Sequence, residues 1–347
     1  MKAAYLTGFG GPEVLEVGKL AMPEPGPGQL LVRVSAAGLN YYDTLVRAGA
    51  VSQDIPLPHI PGSDVIGHVE AVGEGVERFQ EGDRIIVAPG FPVDAADWDT
   101  GRENYTPSFY PGGTFNHGGY GQYMVIHERW ALPNDLDIAD EELASMPLVV
   151  VTAMHTVKTL GQVRSGMRVL VQAGASGSGS MAIQVAKALG ARVITTVSTE
   201  IKAERARAVG ADEVIFYRKE NFADVAREWS GGDGVDVVID NLGGSALADN
   251  LRAVKWGGKV VNFGLVAGNE AKIPNVYHFF RGQYQLLGSF MGTMDELREG
   301  LALIKAGKLR PVVDEVMPLE RVREAHERLD AHHVNGNLVL LPWGTEH

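Results

Sequence analysis

The apolar positions of this chain change their period near residue 150. Upstream they alternate with polar ones in short runs broken by glycine, as in Gln29-Leu-Leu-Val-Arg-Val-Ser35, 65–73 and 84–88. Period two is the mark of half-buried strands, and the region reads as an antiparallel β domain. Downstream, apolar runs at 169–173, 192–197, 213–216, 235–240 and 258–263 alternate with helical stretches, which predicts a parallel sheet with crossover helices. After 286 the pattern predicts a helix over 294–306, another over 319–331 and a last strand over 338–341. Segment 94–113 is polar and rich in Pro and Gly, and reads as an irregular loop.

Residues 169–210 carry the clearest chemistry. An apolar run at 169–171 leads into Gly174, Ala175, Ser176, Gly177, Ser178 and Gly179, a turn with almost no side-chain bulk. A helix opening at about Ser178, striped by Met181, Ile183, Val185, Ala186 and Leu189 and closed by Gly190, would aim its free N–H groups at an anion. Gly174 and Gly179 hold the outer places of G-x-G-x-x-G while Ser176 takes the middle one, so the fingerprint of a dinucleotide cradle is imperfect but correctly placed. Tight helix packing selects small residues at such a turn as well. The second strand ends in Thr196, Val197, Ser198 and Thr199, with no acid before Glu200 to bind a ribose diol. Ser198 and Thr199 can donate to a phosphate, Lys202 supplies a cation, and Tyr217 and Arg218 follow the third strand. This pattern favours NADPH over NADH, although Lys202 also fits an ordinary solvated helix position.

Composition narrows the function classes. A length of 347 residues suits two domains. The net charge of -12 argues against nucleic acid or anionic membrane as a partner. With no cysteine, disulfides, thiolate nucleophiles and cysteine-ligated zinc are excluded. The start at Met1 shows no targeting pattern and no apolar run approaches membrane-spanning length, so the cytoplasm is the expected compartment.

Several motifs fall in a specific order: GLNYYD at 38–43, PGSDVIG at 61–67, VGEGV at 72–76, EGD at 81–83, GYGQY at 119–123, the stretch 143–156, the nucleotide segment, and GKVVNFG at 258–264. In these the chain resembles the medium-chain dehydrogenase/reductase superfamily, most closely its zinc-independent quinone oxidoreductase branch. The resemblance implies an α/β protein with a GroES-like β-rich catalytic domain and a Rossmann domain with a doubly wound parallel sheet. The catalytic domain would comprise 1–128, completed by 276–347, with the NADPH-binding domain inserted over 129–275. Where zinc alcohol dehydrogenases of the superfamily place catalytic ligands, this chain has Asn40, Ser63 with Asp64, and a position near Leu148. The structural-zinc places fall near Pro92, Ala95, Trp98 and Thr106. None supplies a thiolate or imidazole, so no metal is expected.

Hydride delivery to an activated alkene needs only hydrogen-bond donors for the spreading negative charge, so the implied substrate is a quinone or α,β-unsaturated carbonyl. By the same resemblance Tyr42 stands where a proton relay begins and Asn40 where a ligand would be. Asn40 is then a donor to the substrate oxygen or a loop amide, and Tyr42 an acid or a pocket wall. Tyr41 is an alternative to Tyr42, Asp43 a structural hydrogen-bonding group or a base, and His59 a residue expected at the surface. On the cofactor side Thr152 resembles a nicotinamide-ribose contact. Asn241, Gly264, Leu265 and Val266 follow strands where nucleotide contacts cluster, and Phe290 and Asn337 would complete the pocket wall. Residues 285–290 form a candidate edge strand that would pair across a two-fold axis to give a homodimer. An enoyl-thioester reductase and a non-catalytic NADPH-binding sensor are the competing readings.

Overall fold

Arg33 is exposed while Val32 and Val34 on either side of it are fully buried, an alternation confined to the middle of the strand Gln29–Leu39, whose last four residues are all buried. The computed structural model describes residues 1–344, which separate into two units: Met1–Leu148 together with the chain from Pro311 onward, and Val149–Arg310.

In the first unit, Gln29–Leu39 lies inside a seven-stranded sheet ordered Val313–Pro318, Asn337–Leu341, Gln29–Leu39, Asp64–Val72, Arg84–Val87, Ala131–Pro133, with Tyr123–His127 also paired to Gln29–Leu39. Asn337–Leu341 pairs antiparallel with Gln29–Leu39, so the C-terminal segment completes a domain begun by the N-terminal one. Segment 94–113 is more ordered than its composition suggests. Gly90–Pro92 pairs with Phe109–Pro111, and the Trp98 indole donates to Pro92 O at 3.0 Å. Trp98 meets Trp130 edge-on at 5.9 Å and His127 at 4.6 Å, while Arg129 donates to Trp98 O at 2.8 Å. The lobe is thus pinned by edge-on ring contacts.

The second unit is a six-stranded parallel sheet in the order Glu213–Phe216, Arg192–Val197, Arg168–Val171, Val235–Asp240, Val254–Asn262, Gln285–Gly288. Leu170, Ile194, Ile215, Val238 and Val260 are fully buried at its centre. Counted along the chain the order is 3-2-1-4-5-6, so the direction of winding reverses between Arg168–Val171 and Val235–Asp240.

The boundaries read from the sequence, 128/129 and 275/276, are displaced to 148/149 and 310/311. Ala131–Pro133 pairs with Arg84–Val87, and Arg84 donates to Asp140 at 2.7 Å, which ties 129–148 to the first unit. Gln285–Gly288 extends the parallel sheet and the helix Met294–Lys305 is joined to His155 through Glu296, which ties 276–310 to the second.

Candidate active site

Because all six strands of the second unit run parallel, their carboxyl ends share one edge, and most predicted cofactor residues are found there. The loop 172–176 follows Arg168–Val171, and the helix Gly177–Ala188 begins one residue earlier than the pattern suggested. Ser176, the residue that breaks the glycine fingerprint, is its N-cap: its Oγ accepts from the Gly179 N–H at 3.0 Å. A side chain at Gly179 would strike Ala173 O, and one at Gly264 would strike Asn241 O, so both glycines hold backbone in close approach. Across the winding reversal, Asn241 follows Val235–Asp240 and its Nδ2 donates to Ser176 Oγ at 3.5 Å. Asn241 Oδ1 and Thr152 Oγ1 are buried with no hydrogen-bond partner among the described residues, and Ser289 Oγ, which the sequence did not single out, is in the same condition. A buried polar atom without a protein partner calls for one from outside the chain, a water, an ion or a ligand, and here three lie with the small-residue turn of the same unit. The residues therefore fit a dinucleotide.

Ser198, Thr199, Lys202 and Tyr217 gather at the ends of the paired strands Arg192–Val197 and Glu213–Phe216, where Tyr217 N–H donates to Val197 O at 3.3 Å. Thr199 caps the helix Glu200–Ala208 by accepting from Lys202 N–H at 3.4 Å. Leu265 and Val266 are exposed in the loop after Val254–Asn262, and Phe290 is exposed shortly after Gln285–Gly288. Asn337 belongs to the other unit. It opens a strand of the first unit and is buried there.

In the first unit Asn40, Tyr42 and Asp43 start the helix Tyr41–Arg47, which the sequence reading had treated only as a motif. Asn40 is the N-cap, and its backbone N–H donates to Asp43 Oδ2 at 2.8 Å. Its Nδ2 donates to Asp64 Oδ2 at 2.8 Å and to Ser63 Oγ at 3.3 Å. Both amide hydrogens are thus engaged, which favours the loop amide of the two readings of Asn40. Asp43 also accepts from Tyr120 OH at 2.8 Å, the geometry of a cap and anchor and not of an open base. Burial pushes the Asp43 carboxyl up to about 7, against the pull of the Asn40 and Tyr120 hydrogen bonds, and pushes Asp64 up to about 8.

Tyr42 hydrogen-bonds to Thr114. Thr114 Oγ1 also donates to Pro111 O at 2.6 Å. Burial pushes the Tyr42 phenol up to about 12, against the downward pull of the Thr114 hydrogen bond. Tyr41 is instead exposed, with its ring 6.0 Å from His332. His59, expected at the surface, is buried: its ring Nε2 meets Gly113 O at 2.8 Å, and burial lowers its pKa to about 4. Thr114 and Tyr120 carry no local sequence signal for these partnerships, because their partners are distant in the chain.

The places that resemble catalytic zinc ligands do converge. Asn40 touches Ser63 and Asp64, and Asp64 Oδ1 accepts from Leu148 N–H at 2.7 Å. What converges is an amide, a hydroxyl, a carboxyl group and a backbone N–H, a donor set that does not fit tetrahedral zinc. Among the described residues no three His, Cys, Asp or Glu side chains form a metal-binding group, and no helix is long and apolar enough to cross a membrane.

Residues 26–137 match the family of alcohol dehydrogenase GroES-like domains and residues 177–306 that of zinc-binding dehydrogenases. The human quinone oxidoreductase is 31% identical over 98% of both chains, and a 2-haloacrylate reductase of Burkholderia sp is 33% identical over 98% of both. Among solved structures, one described as an NAD-dependent alcohol dehydrogenase superposes with a TM-score of 0.92 at 38% identity, covering 98% of this chain and 99% of the other. A mycobacterial protein solved with NADPH superposes at 0.83 with 30% identity, covering 99% and 100%. With a GroES-like unit, a Rossmann unit and relatives of this kind along nearly its whole length, the chain belongs to the medium-chain dehydrogenase/reductase superfamily, in its quinone oxidoreductase branch.

Proposed function

We propose that this oxidoreductase is an NADPH-dependent, metal-free reductase of quinones or α,β-unsaturated carbonyls. The observation that carries the reading is Tyr42, a half-buried phenol that retains its proton, on the helix whose cap stands where the resembling zinc enzymes place a ligand. NADPH, when bound, supplies a hydride. Thr152, Asn241 and the turn Gly174, Ser176, Gly177, Ser178 and Gly179 hold it. Hydride added at the β-carbon of a conjugated carbonyl would move the alkene electron pair onto the oxygen, and the Tyr42 O–H would donate to that oxygen. The proton transfer completes a two-electron reduction, and bulk water restores the phenol. Asn40 and Asp43 fix the start of the Tyr42 helix, and Asp64 fixes Asn40.

The relatives divide on the cofactor, one named for NAD and one solved with NADPH. The absence of an acid at the end of Arg192–Val197, with Ser198, Thr199, Lys202 and Tyr217 around it, supports NADPH. The 2-haloacrylate reductase among the relatives supports an activated alkene as acceptor. The test is NADPH consumption with a small quinone and an α,β-unsaturated ketone, repeated with NADH and with a chelator. Chelator-insensitive turnover that prefers NADPH is expected. Binding of NADPH with no turnover on either acceptor would leave a carrier or sensor, and reversible loss with chelator would sink the metal-free mechanism.

A further inference from the structure

The outer face of the first unit's sheet carries a row of side chains that the proposed reaction does not use. Tyr123 lies opposite Arg33, Arg33 opposite His68, and His68 opposite Arg84, on four neighbouring antiparallel strands. Residues directly opposite in such strands share a face, so the row is contiguous. A pocket of about 510 Å³, about half open to solvent, lies against Arg33, His68 and Arg84 of this row and is lined also by Asp140, Glu141 and Trp343. That volume is in the range of small-molecule sites.

The charges in this cavity are not equivalent. Arg84 is fully committed: its Nε donates to Asp140 at 2.7 Å, and its two terminal nitrogens donate to Leu136 O at 2.7 Å and Ile138 O at 2.5 Å. Arg84 and Asp140 therefore cancel and form a wall. Arg33 is different. Its guanidinium is stacked 4.3 Å from the Trp343 ring centre, and it has no hydrogen-bond or ion-pair partner among the described residues. Trp343 is itself fixed, because its Nε1 donates to Val34 O at 2.9 Å and the Tyr123 ring meets it edge-on at 5.6 Å. The Arg33 guanidinium is thus held over a fixed ring while its donors remain available, and a guanidinium fork so placed suits bidentate carboxylate recognition. His68 Nδ1 lies 3.2 Å from Ser35 Oγ. With the Ser35 hydroxyl donating there, the ring proton sits on Nε2 and is available beside Arg33. Glu141 is the remaining open charge, and it is an acceptor.

We propose that this cavity binds a small organic acid with a hydroxyl or amino group, the carboxylate on Arg33 and His68 and the second group donating to Glu141. A phosphate dianion is disfavoured by the charge of Glu141, and a neutral apolar ligand would leave Arg33 and Glu141 desolvated and unpaired. The site lies wholly within the first unit and does not depend on the proposed reaction.

The probe is mandelate, with benzyl alcohol and inorganic phosphate beside it, titrated into the full-length protein by calorimetry and by tryptophan fluorescence. Saturable binding of mandelate is expected, with a change in fluorescence and no binding of benzyl alcohol. Arg33→Met should weaken mandelate by about tenfold or more, leaving the melting temperature and the rate of NADPH oxidation unchanged. Glu141→Gln should weaken mandelate while sparing benzoate, which lacks the hydroxyl. Binding of mandelate that is absent, or that Arg33→Met leaves intact, overturns the proposal, as does phosphate binding equally well through Arg33.

Discussion

A phenol that burial holds near 12 is a poor base but a well-placed proton store, and Tyr42 is such a phenol. Tyr42→Phe is therefore expected to lower kcat on the order of 10²-fold in enone reduction with the affinity for NADPH unchanged, since general acids contribute at least that much. Steady-state kinetics beside a direct NADPH titration check it. A rise in KM alone would reduce Tyr42 to a pocket wall. The carboxyl groups beneath it make a second prediction. Asp43 and Asp64 hold protons in the folded state up to about 7 and about 8, far above the ordinary 3.8. The native state then binds more protons than the unfolded one, so the stability these groups contribute is full below about pH 4 and is lost as pH rises through 7 and 8. His59 and His326 act in the opposite sense, because burial lowers them to about 4 and about 3 from 6.5. Their contribution is lost as pH falls below 6.5. The two effects oppose each other in acid, and only the carboxyl groups act between pH 6.5 and 8. Unfolding by urea should give a lower stability at pH 8 than at 6.5, and Asp64→Asn should flatten that slope even though it also removes one acceptor. An unchanged slope in the variant would mean that Asp64 is ionised when folded.

At the scale of the element, two helix starts show what local sequence does and does not convey. Ser176 reads as a defect in G-x-G-x-x-G, and in the fold it is the cap that satisfies Gly179 N–H. Ser176→Ala should therefore cost about 1 kcal/mol of stability, whereas Ser176→Gly, which restores the usual fingerprint, should cost only a few tenths. Equal losses in the two variants, measured by chemical denaturation, would remove the capping account. The motif Asn40-Tyr-Tyr-Asp43 carries the converse lesson. A polar cap with an acid three residues on is a helix-start signature, and that is how the chain uses it, with Asp43 accepting from Asn40 N–H at 2.8 Å. Read for chemistry, the same four residues suggested an oxyanion donor and a base. The nucleotide strands were legible because each buries a short apolar run in a parallel sheet, and 192–197, 213–216 and 235–240 coincide with Arg192–Val197, Glu213–Phe216 and Val235–Asp240. His59 was not legible, since what buries it is Gly113 O, supplied by a loop 54 residues away.

For the whole molecule, pattern reading stops where pairing becomes long-range. Nothing local to Asn337–Leu341 says that its partners are Gln29–Leu39 and Val313–Pro318, and only the family resemblance returned it to the first unit. The same limit displaced both boundaries, because Ala131–Pro133 and Gln285–Gly288 are assigned by the strands they pair with and not by their own composition. Gln285–Gly288 is also where the last prediction lies. It is an edge strand, paired among the described residues only with Val254–Asn262, and none of its four residues is buried. The helix before it, Val276–Arg281, buries none of its residues either, and Val276, Tyr277 and Phe280 are each more than 60% exposed. An unprotected edge beside exposed aromatic side chains is an association surface. A strand pairing antiparallel with its own copy across a two-fold axis satisfies both edges at once, which a closed dimer requires. We therefore expect a homodimer in which the two parallel sheets join at this edge. Light scattering should give twice the chain mass at micromolar concentration, and Leu286→Lys, which places like charges together across the axis, should give the monomer mass with NADPH affinity retained. A wild-type monomer, or a dimer indifferent to Leu286→Lys, would direct the search for a partner of this edge elsewhere.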